Sequence, residues 1–215
     1  MAREYKRKDF TKVNCPICGK EMYAKDVRGR EKTTCSVKCN AQKAVIVKQQ
    51  RELENRMRKL PDIKKKVEGI DEGFGYWLSG FTDGEGSFVI AKDTRGKFIN
   101  FRYQITLRYD DVEILNEIQR ELGFGNVRIR KPRVVKGIDG TDIDIRKQAS
   151  FLIEDMEGVY FIKLLFDKFP LRAKKKKEFE VWGRGIELKY FNIWEECKSE
   201  VWALFEEIKE VRKYD

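Results

Sequence analysis

From Phe98 to Arg108 the chain alternates without a break. Ile99, Phe101, Tyr103, Ile105 and Leu107 are apolar, and Asn100, Arg102, Gln104, Thr106 and Arg108 between them are polar. A period of two predicts a β-strand with one buried and one wet face. Asn126 to Arg130 repeats it, with Val127 and Ile129 inward and Asn126, Arg128 and Arg130 outward. Another strand is expected from about Asp142 to Ile153. It would turn Ile143, Ile145, Ala149, Phe151 and Ile153 to the core and Arg146, Gln148 and Ser150 to solvent.

Helical signals flank these strands. Asn40 to Leu60 holds no Gly or Pro and is rich in Ala, Lys, Gln, Arg, Glu and Leu, so it reads as helix, with Pro61 expected to stop it. Its apolar stripe is thin and its surface basic, which suits either a spacer or a helix lying along phosphates. Lys64-Lys65-Lys66 and Gly69 mark the expected boundary with the main domain. From Asn192 on, Trp194, Cys197, Val201, Leu204, Phe205, Ile208 and Val211 fall on one helical face, which predicts packing on the domain with Cys197 in the core.

Charge sharpens this division. The net charge is +10, but residues 1–66 carry 20 Lys and Arg against 8 Asp and Glu, and residues 67–215 carry 26 against 28. The basic excess lies wholly in the first third. It is either a polyanion-binding segment or a solvated basic tail. Arg, Gln, Asn and Thr on the wet strand faces suit base edges and phosphates, the alternative being an ordinary solvated sheet face. No apolar run approaches the roughly 20 residues that span a bilayer. The first residues lack the apolar stretch of a secretory signal, so an intracellular, cytoplasmic or nucleoid-associated protein is expected. The chain contains no histidine. That excludes Ser-His-Asp and Cys-His catalysis and leaves carboxylate, Lys, Tyr or water to move protons.

Four of the five cysteines form two close pairs, Cys15-Pro-Ile-Cys18 and Cys35-Ser-Val-Lys-Cys39. Such pairs suit one tetrahedral Zn²⁺, with Gly19 in the left-handed position that the tight turn favours. Disulfides and free thiols are the alternatives. The spacing resembles zinc-ribbon and treble-clef knuckles of DNA-processing enzymes, which either touch DNA or serve as props. The expected organisation is a zinc-binding module over 1–45, a basic helical linker over 46–68 and a main domain over 69–215.

The most informative stretch is Tyr76 to Phe88. It reads as a short helix with small residues at Ser79, Gly80 and Gly84, a spacing that lets a second helix approach closely. Gly84 and Gly86 are expected to end it and release a strand. Glu85 then sits at the negative end of the helix dipole, where a carboxylate gains nothing by itself. Beside the Gly84 carbonyl, however, it offers a divalent cation two hard oxygens. An exposed helix-ending acid is the alternative reading.

Leu78 to Gly86, LSGFTDGEG, resembles the LAGLIDADG motif position by position. Asp110 to Asn126 is similar to the helix and Gly-x-Gly turn that follow the second strand of that family, and Phe166 to Phe179 to its basic segment after a Pro-Leu pair. The resemblance spans about residues 73–182. It implies a mixed α/β (α+β) fold of αββαββα order with a saddle-shaped antiparallel sheet and further C-terminal helices. It also implies a homing endonuclease that makes Mg²⁺-dependent double-strand breaks across the minor groove of a long, near-palindromic DNA target. Glu85 would be the metal ligand, Gly84 would contribute its carbonyl, and Asp83 would have a structural role. Asn100, Arg102, Gln104, Thr106, Arg108, Arg128, Arg130, Arg146 and Gln148 would meet DNA, with Lys174 and Lys175 on phosphates. A catalytic lysine occurs in relatives, and Lys147 and Lys174 are candidates.

With one motif per chain, the resemblance further implies a homodimer, with double-stranded DNA as partner and neither a membrane nor a small-molecule substrate. A free-standing or intron-borne gene is expected. The competing readings are an RNA maturase or DNA-binding regulator of the same fold, and a zinc-dependent scaffold whose sheet contacts protein.

Overall fold

The computed structural model describes residues 11–26, 28–136 and 142–213. The chain divides into two units, Met1–Glu54 and Asn55–Asp215. In the first, β1 (Lys12–Asn14) and β2 (Glu21–Tyr23) form an antiparallel hairpin in which Val13 faces Met22. A long helix, α1 (Val37–Glu68), follows and extends into the second unit.

Pro61 lies inside α1 and does not stop it, contrary to the sequence expectation. A proline in a helix interior costs about 3 kcal/mol. Ile63 and Val67 beyond it are buried, and Met57 and Leu60 before it are half-buried against the same core. Each fully buried aliphatic side chain contributes roughly 1.5–3 kcal/mol. Burial therefore outweighs the lost hydrogen bond, and the second half of the expected linker is part of the second unit's core. The Lys168 ammonium closes the helix by donating to the carbonyls of Val67 and Glu68, at 3.2 and 3.1 Å.

The second unit is a four-stranded antiparallel sheet with helices on one face. After α2 (Glu72–Glu85) come β3 (Gly86–Lys92), β4 (Ile99–Arg108), a 3₁₀ turn at Tyr109–Asp111 and α3 (Val112–Leu122). These are followed by β5 (Asn126–Arg130), β6 (Arg133–Lys136), β7 (Asp142–Ile145) and β8 (Gln148–Ile153), then α4 (Met156–Lys168), α5 (Lys175–Phe191) and α6 (Trp194–Val211). The sheet order is β3-β4-β8-β5, and β6 and β7 pair separately. Apart from that ribbon, the order is the expected αββαββα with two helices added.

The expected strand from Asp142 to Ile153 is two strands. β4 pairs with β8 only as far as Arg108 opposite Gln148, and the next residue, Tyr109, turns away and donates its N–H to the Lys147 carbonyl at 3.1 Å. Nothing in the main sheet remains for residues before Gln148 to pair with, so β7 folds back on β6. The side chains of Ile143 and Ile145 lie outside the described residues. Ile129, expected inward, is 54% exposed, because β5 is the edge strand, covered by a neighbour on one side alone.

The core lies between the sheet and its helices. The Phe88 ring meets Tyr103, Phe166, Phe179 and Trp182 at centroid distances of 5.6, 5.9, 5.3 and 5.1 Å. Ile99, Phe101, Ile105, Phe151 and Ile153 fill the same side, so the alternation read from the sequence orients β4 and β8. On α6, Trp194, Cys197, Val201, Leu204 and Ile208 are buried, as its helical face requires. Among the described residues no helix is long and apolar enough to cross a membrane.

Candidate active site and nucleic-acid interface

The motif helix α2 starts at Asp71, whose carboxylate accepts the Phe74 N–H at 2.8 Å. Gly86 ends it with φ −75°, in extended backbone rather than the left-handed cap a terminal glycine usually supplies. Its glycine is required by crowding instead. A Cβ there would lie 2.5 Å from the Thr82 methyl and 2.9 Å from the Thr82 carbonyl oxygen. Gly84 is inside the helix, one residue before its last, Glu85. The two small residues expected to admit a second helix separate from the third. Gly80 and Gly84 are exposed with nothing near their Cβ positions, whereas Ser79 is buried and donates to the Pro170 carbonyl at 3.0 Å. Thr82 is buried on the inner side, its hydroxyl 2.6 Å from that of Tyr103, and burial pushes the Tyr103 phenol well above its ordinary range.

Three residues end the helix with different surroundings. Asp83 is half-buried, and its Oδ2 accepts the N–H groups of Arg172 and Ala173 at 2.8 and 3.0 Å. Gly84 and Glu85 are exposed. The Lys175 ammonium lies 3.5 Å from the Gly84 carbonyl oxygen, so a cation already neighbours that oxygen. The other candidate lysines are elsewhere. Lys147 sits 3.2 Å over the Tyr109 ring, and Lys174 is exposed just ahead of α5. Glu85 belongs to no group of three or more acids and cysteines among the described residues. A divalent ion bound here would have one carboxylate and one carbonyl from this chain. That suits Mg²⁺, which keeps several waters or substrate oxygens.

The sheet face opposite the helices carries the expected polar residues. On β4, Asn100 and Arg108 are exposed and Arg102, Gln104 and Thr106 half-buried; Arg128 and Arg130 of β5 are exposed, and Gln148 of β8 is half-buried. Arg146 is exposed but belongs to the link between β7 and β8, off the sheet. Ser150, expected outward, is fully buried. It lies on the inner strand β8 between β4 and β5 and hydrogen-bonds the Thr106 hydroxyl at 2.9 Å. Sequence reasoning missed Glu154, whose two oxygens accept from Arg102 at 3.2 Å and Arg128 at 2.9 Å. Its signal was present, since it continues the alternation of Gln148, Ser150 and Leu152 by one more step.

In the first unit, the four paired cysteines converge. Cys15 and Cys18 flank the turn between β1 and β2, and Gly19 has the expected positive φ of 71°. Cys35 precedes α1, and Cys39 lies in its first turn with its N–H held by the Ser36 hydroxyl at 3.2 Å. All four sulfurs lie within 4.8 Å of one another, with Cys18–Cys35 at 3.4 Å and Cys35–Cys39 at 3.5 Å. These separations are far from a disulfide bond near 2.0 Å. They are close to the roughly 3.8 Å between sulfurs around tetrahedral Zn²⁺ at about 2.3 Å. Burial opposes ionisation of Cys15, yet N–H groups of Cys35, Ile17 and Cys18 draw its thiol down to about 6; the Cys35 thiol, hydrogen-bonded to Cys18 and Cys39, is pushed up to about 12. Four sulfurs this close to one another are a donor set that fits a soft divalent ion.

Residues 78–184 match the LAGLIDADG endonuclease family. The probable intron-encoded endonuclease 4 of Neurospora crassa is 28% identical over 137 residues, 63% of this chain and 22% of its own length. The uncharacterized mitochondrial protein RF1 of Saccharomyces cerevisiae is 27% identical over 115 residues, 54% of this chain and 21% of its own. The chain thus spans about a fifth of the length of the curated relatives it matches. Among solved structures, the homing endonuclease I-CvuI in complex with its target shares the fold, with a TM-score of 0.50 at 17% identity over 66% of this chain and 83% of that one. The helix that ends in Glu85 and the paired strands behind it lie within residues 78–184, the part of the chain that is similar to the LAGLIDADG endonuclease family.

Proposed function

We propose that the protein is a site-specific DNA endonuclease of the homing type, acting with a divalent cation on a long duplex target. The observation that carries this reading is the exposed Gly84 carbonyl and Glu85 carboxylate at the end of α2, joined directly to a sheet whose open face bears Arg102, Arg108, Arg128 and Arg130. Those arginines and their amide neighbours suit a β-sheet reader of the major groove. Glu85 and Gly84 would hold Mg²⁺, which when bound supplies the charge that stabilises a phosphodiester transition state. Lys175 would add a second cation beside the scissile phosphate, and Asp83 would fix the segment that delivers it.

The open face of α2 supports a twofold pairing with a second copy. Gly80 and Gly84 leave its backbone accessible, and Tyr76 and Trp77 beside them are large exposed aromatics. Pairing would bring two Glu85 carboxylates together, where cations would relieve their repulsion. A dimer of this kind reads a near-palindromic target. The Cys15, Cys18, Cys35 and Cys39 cluster would hold structural Zn²⁺, and the surrounding basic segment would extend the footprint along phosphates.

The test is cleavage of a randomised or genomic duplex library in Mg²⁺, comparing wild type with Glu85→Gln. Discrete cuts are expected from wild type, reduced roughly a hundredfold or more in the variant. Binding without cutting by both proteins would replace the nuclease reading with that of a maturase or regulator.

A further inference from the structure

Glu154 is out of place on a surface meant for a polyanion. The strands of the open face contribute no other acid, and Glu154 follows β8 directly on that same face. Its carboxylate is 42% exposed, so it stands where an approaching phosphate would be repelled. Stability does not account for it, because exposed ion pairs contribute only about 0–1 kcal/mol each. What the residue does accomplish is geometric. It holds two arginines from different strands, Arg102 at 3.2 Å and Arg128 at 2.9 Å, one on each oxygen. The Arg102 Nε is enclosed and has no hydrogen-bond partner among the described residues, so the guanidinium has little freedom to swing toward another acceptor.

An unrestrained arginine on such a face reaches for the nearest phosphate, and phosphate contacts carry no sequence information. Specific readout needs the guanidinium held so that its remaining N–H groups meet the O6 and N7 of a guanine together. We propose that Glu154 is a specificity-determining positioning residue, which keeps Arg102 and Arg128 off the phosphates and presents both to purine edges in the major groove. The inference rests on the DNA-binding reading above. It predicts that affinity for arbitrary DNA is held down so that discrimination at two or more base pairs is held up.

The experiment uses the full chain in Ca²⁺ in place of Mg²⁺, with two probes: a randomised duplex library for base preference, and mixed-sequence genomic duplex for non-specific affinity over a salt series. Wild type is compared with Glu154→Gln, which keeps the shape and removes the charge, and with Glu154→Asp. Urea midpoints within error of wild type are expected for both, as befits an exposed residue.

For Glu154→Gln, preference should fall roughly tenfold at the base pairs read by the two arginines and stay unchanged elsewhere. Non-specific binding should tighten, and its salt dependence should steepen by about one to two released ions as the arginines turn to phosphates. Glu154→Asp should recover part of the lost preference. An unchanged preference profile in Glu154→Gln would overturn the proposal even if overall affinity shifts, since charge removal alone would explain that. If wild type enriches no sequence at all, the DNA-binding reading itself fails, and this inference with it.

Discussion

The Asp83 carboxylate holds the backbone of Arg172, its Oδ2 accepting that N–H at 2.8 Å and the neighbouring Ala173 N–H at 3.0 Å. Two residues 89 apart in sequence are thereby tied at the end of the motif helix. Ser79 holds the preceding Pro170 carbonyl, so one face of α2 grips the whole segment that leads to Lys175. Asp83→Ala should cost about 1 kcal/mol, since it takes the charged acceptor from two N–H groups of exposed residues that water can then reach. Asp83→Asn keeps one acceptor oxygen and should cost about half as much. Urea unfolding measures both, and an alanine variant as stable as wild type would show that the clamp is incidental.

Gly80 in the motif helix and Gly86 just after it should respond in opposite ways. Gly86→Ala places a methyl 2.5 Å from the Thr82 side chain and should destabilise the fold by about 1–3 kcal/mol. Gly80 meets nothing, so Gly80→Ala should leave stability level or raise it by up to about 1 kcal/mol through helix propensity. Gly80→Leu tests the dimer. Sedimentation should show folded monomer for that variant and dimer for wild type, whereas an unchanged dimer would place the pairing surface elsewhere.

Alkaline pH should weaken the second unit. Burial, reinforced by the charge of Glu157, pushes the Tyr190 phenol from its ordinary 10 up to about 12. The folded chain therefore keeps a proton that the unfolded chain releases. Stability is fully present below pH 10 and is lost as pH rises from there through about 12. Tyr103 and Tyr160 shift in the same direction. Urea midpoints measured from pH 8 to 11 should fall above pH 10, and less steeply in Tyr190→Phe. Equal slopes for the two proteins would exclude Tyr190 as a contributor.

Metal content gives a separate test of the cysteine cluster. The purified protein should hold about one zinc per chain, and Cys35→Ser should hold far less. All four tryptophans lie at residue 77 or later, so their fluorescence reports the second unit alone. It should be unchanged in Cys35→Ser, while the far-ultraviolet signal of the first unit declines. Stoichiometric disulfide in place of zinc would rule out the metal reading.

What the sequence determined by itself was local and periodic. Alternation along Ile99 to Leu107 assigned β4 its inner and outer faces, because a side chain on a pleated strand has only two directions to point. The spacing of Trp194, Cys197, Val201, Leu204 and Ile208 settled the buried face of α6 in the same way. The cysteine pairs announced a four-sulfur cluster, and LSGFTDGEG announced the resemblance to the LAGLIDADG endonucleases, because both are short patterns whose chemistry sets their spacing. The tertiary structure decided what depends on partners distant in the chain. Pro61 reads as a helix end until Ile63 and Val67 are seen buried beyond it. The run from Asp142 to Ile153 reads as one strand until β4 is seen to turn away at Tyr109. Ser150 reads as open to solvent until its inner strand is seen to set it between Thr106 and Arg128. Ser79 and Asp83 read as parts of a motif, and only folding shows that they hold Pro170 to Ala173. Glu154 carried no motif at all. Its place between Arg102 and Arg128 comes from the pairing order β4-β8-β5, which no local pattern specifies.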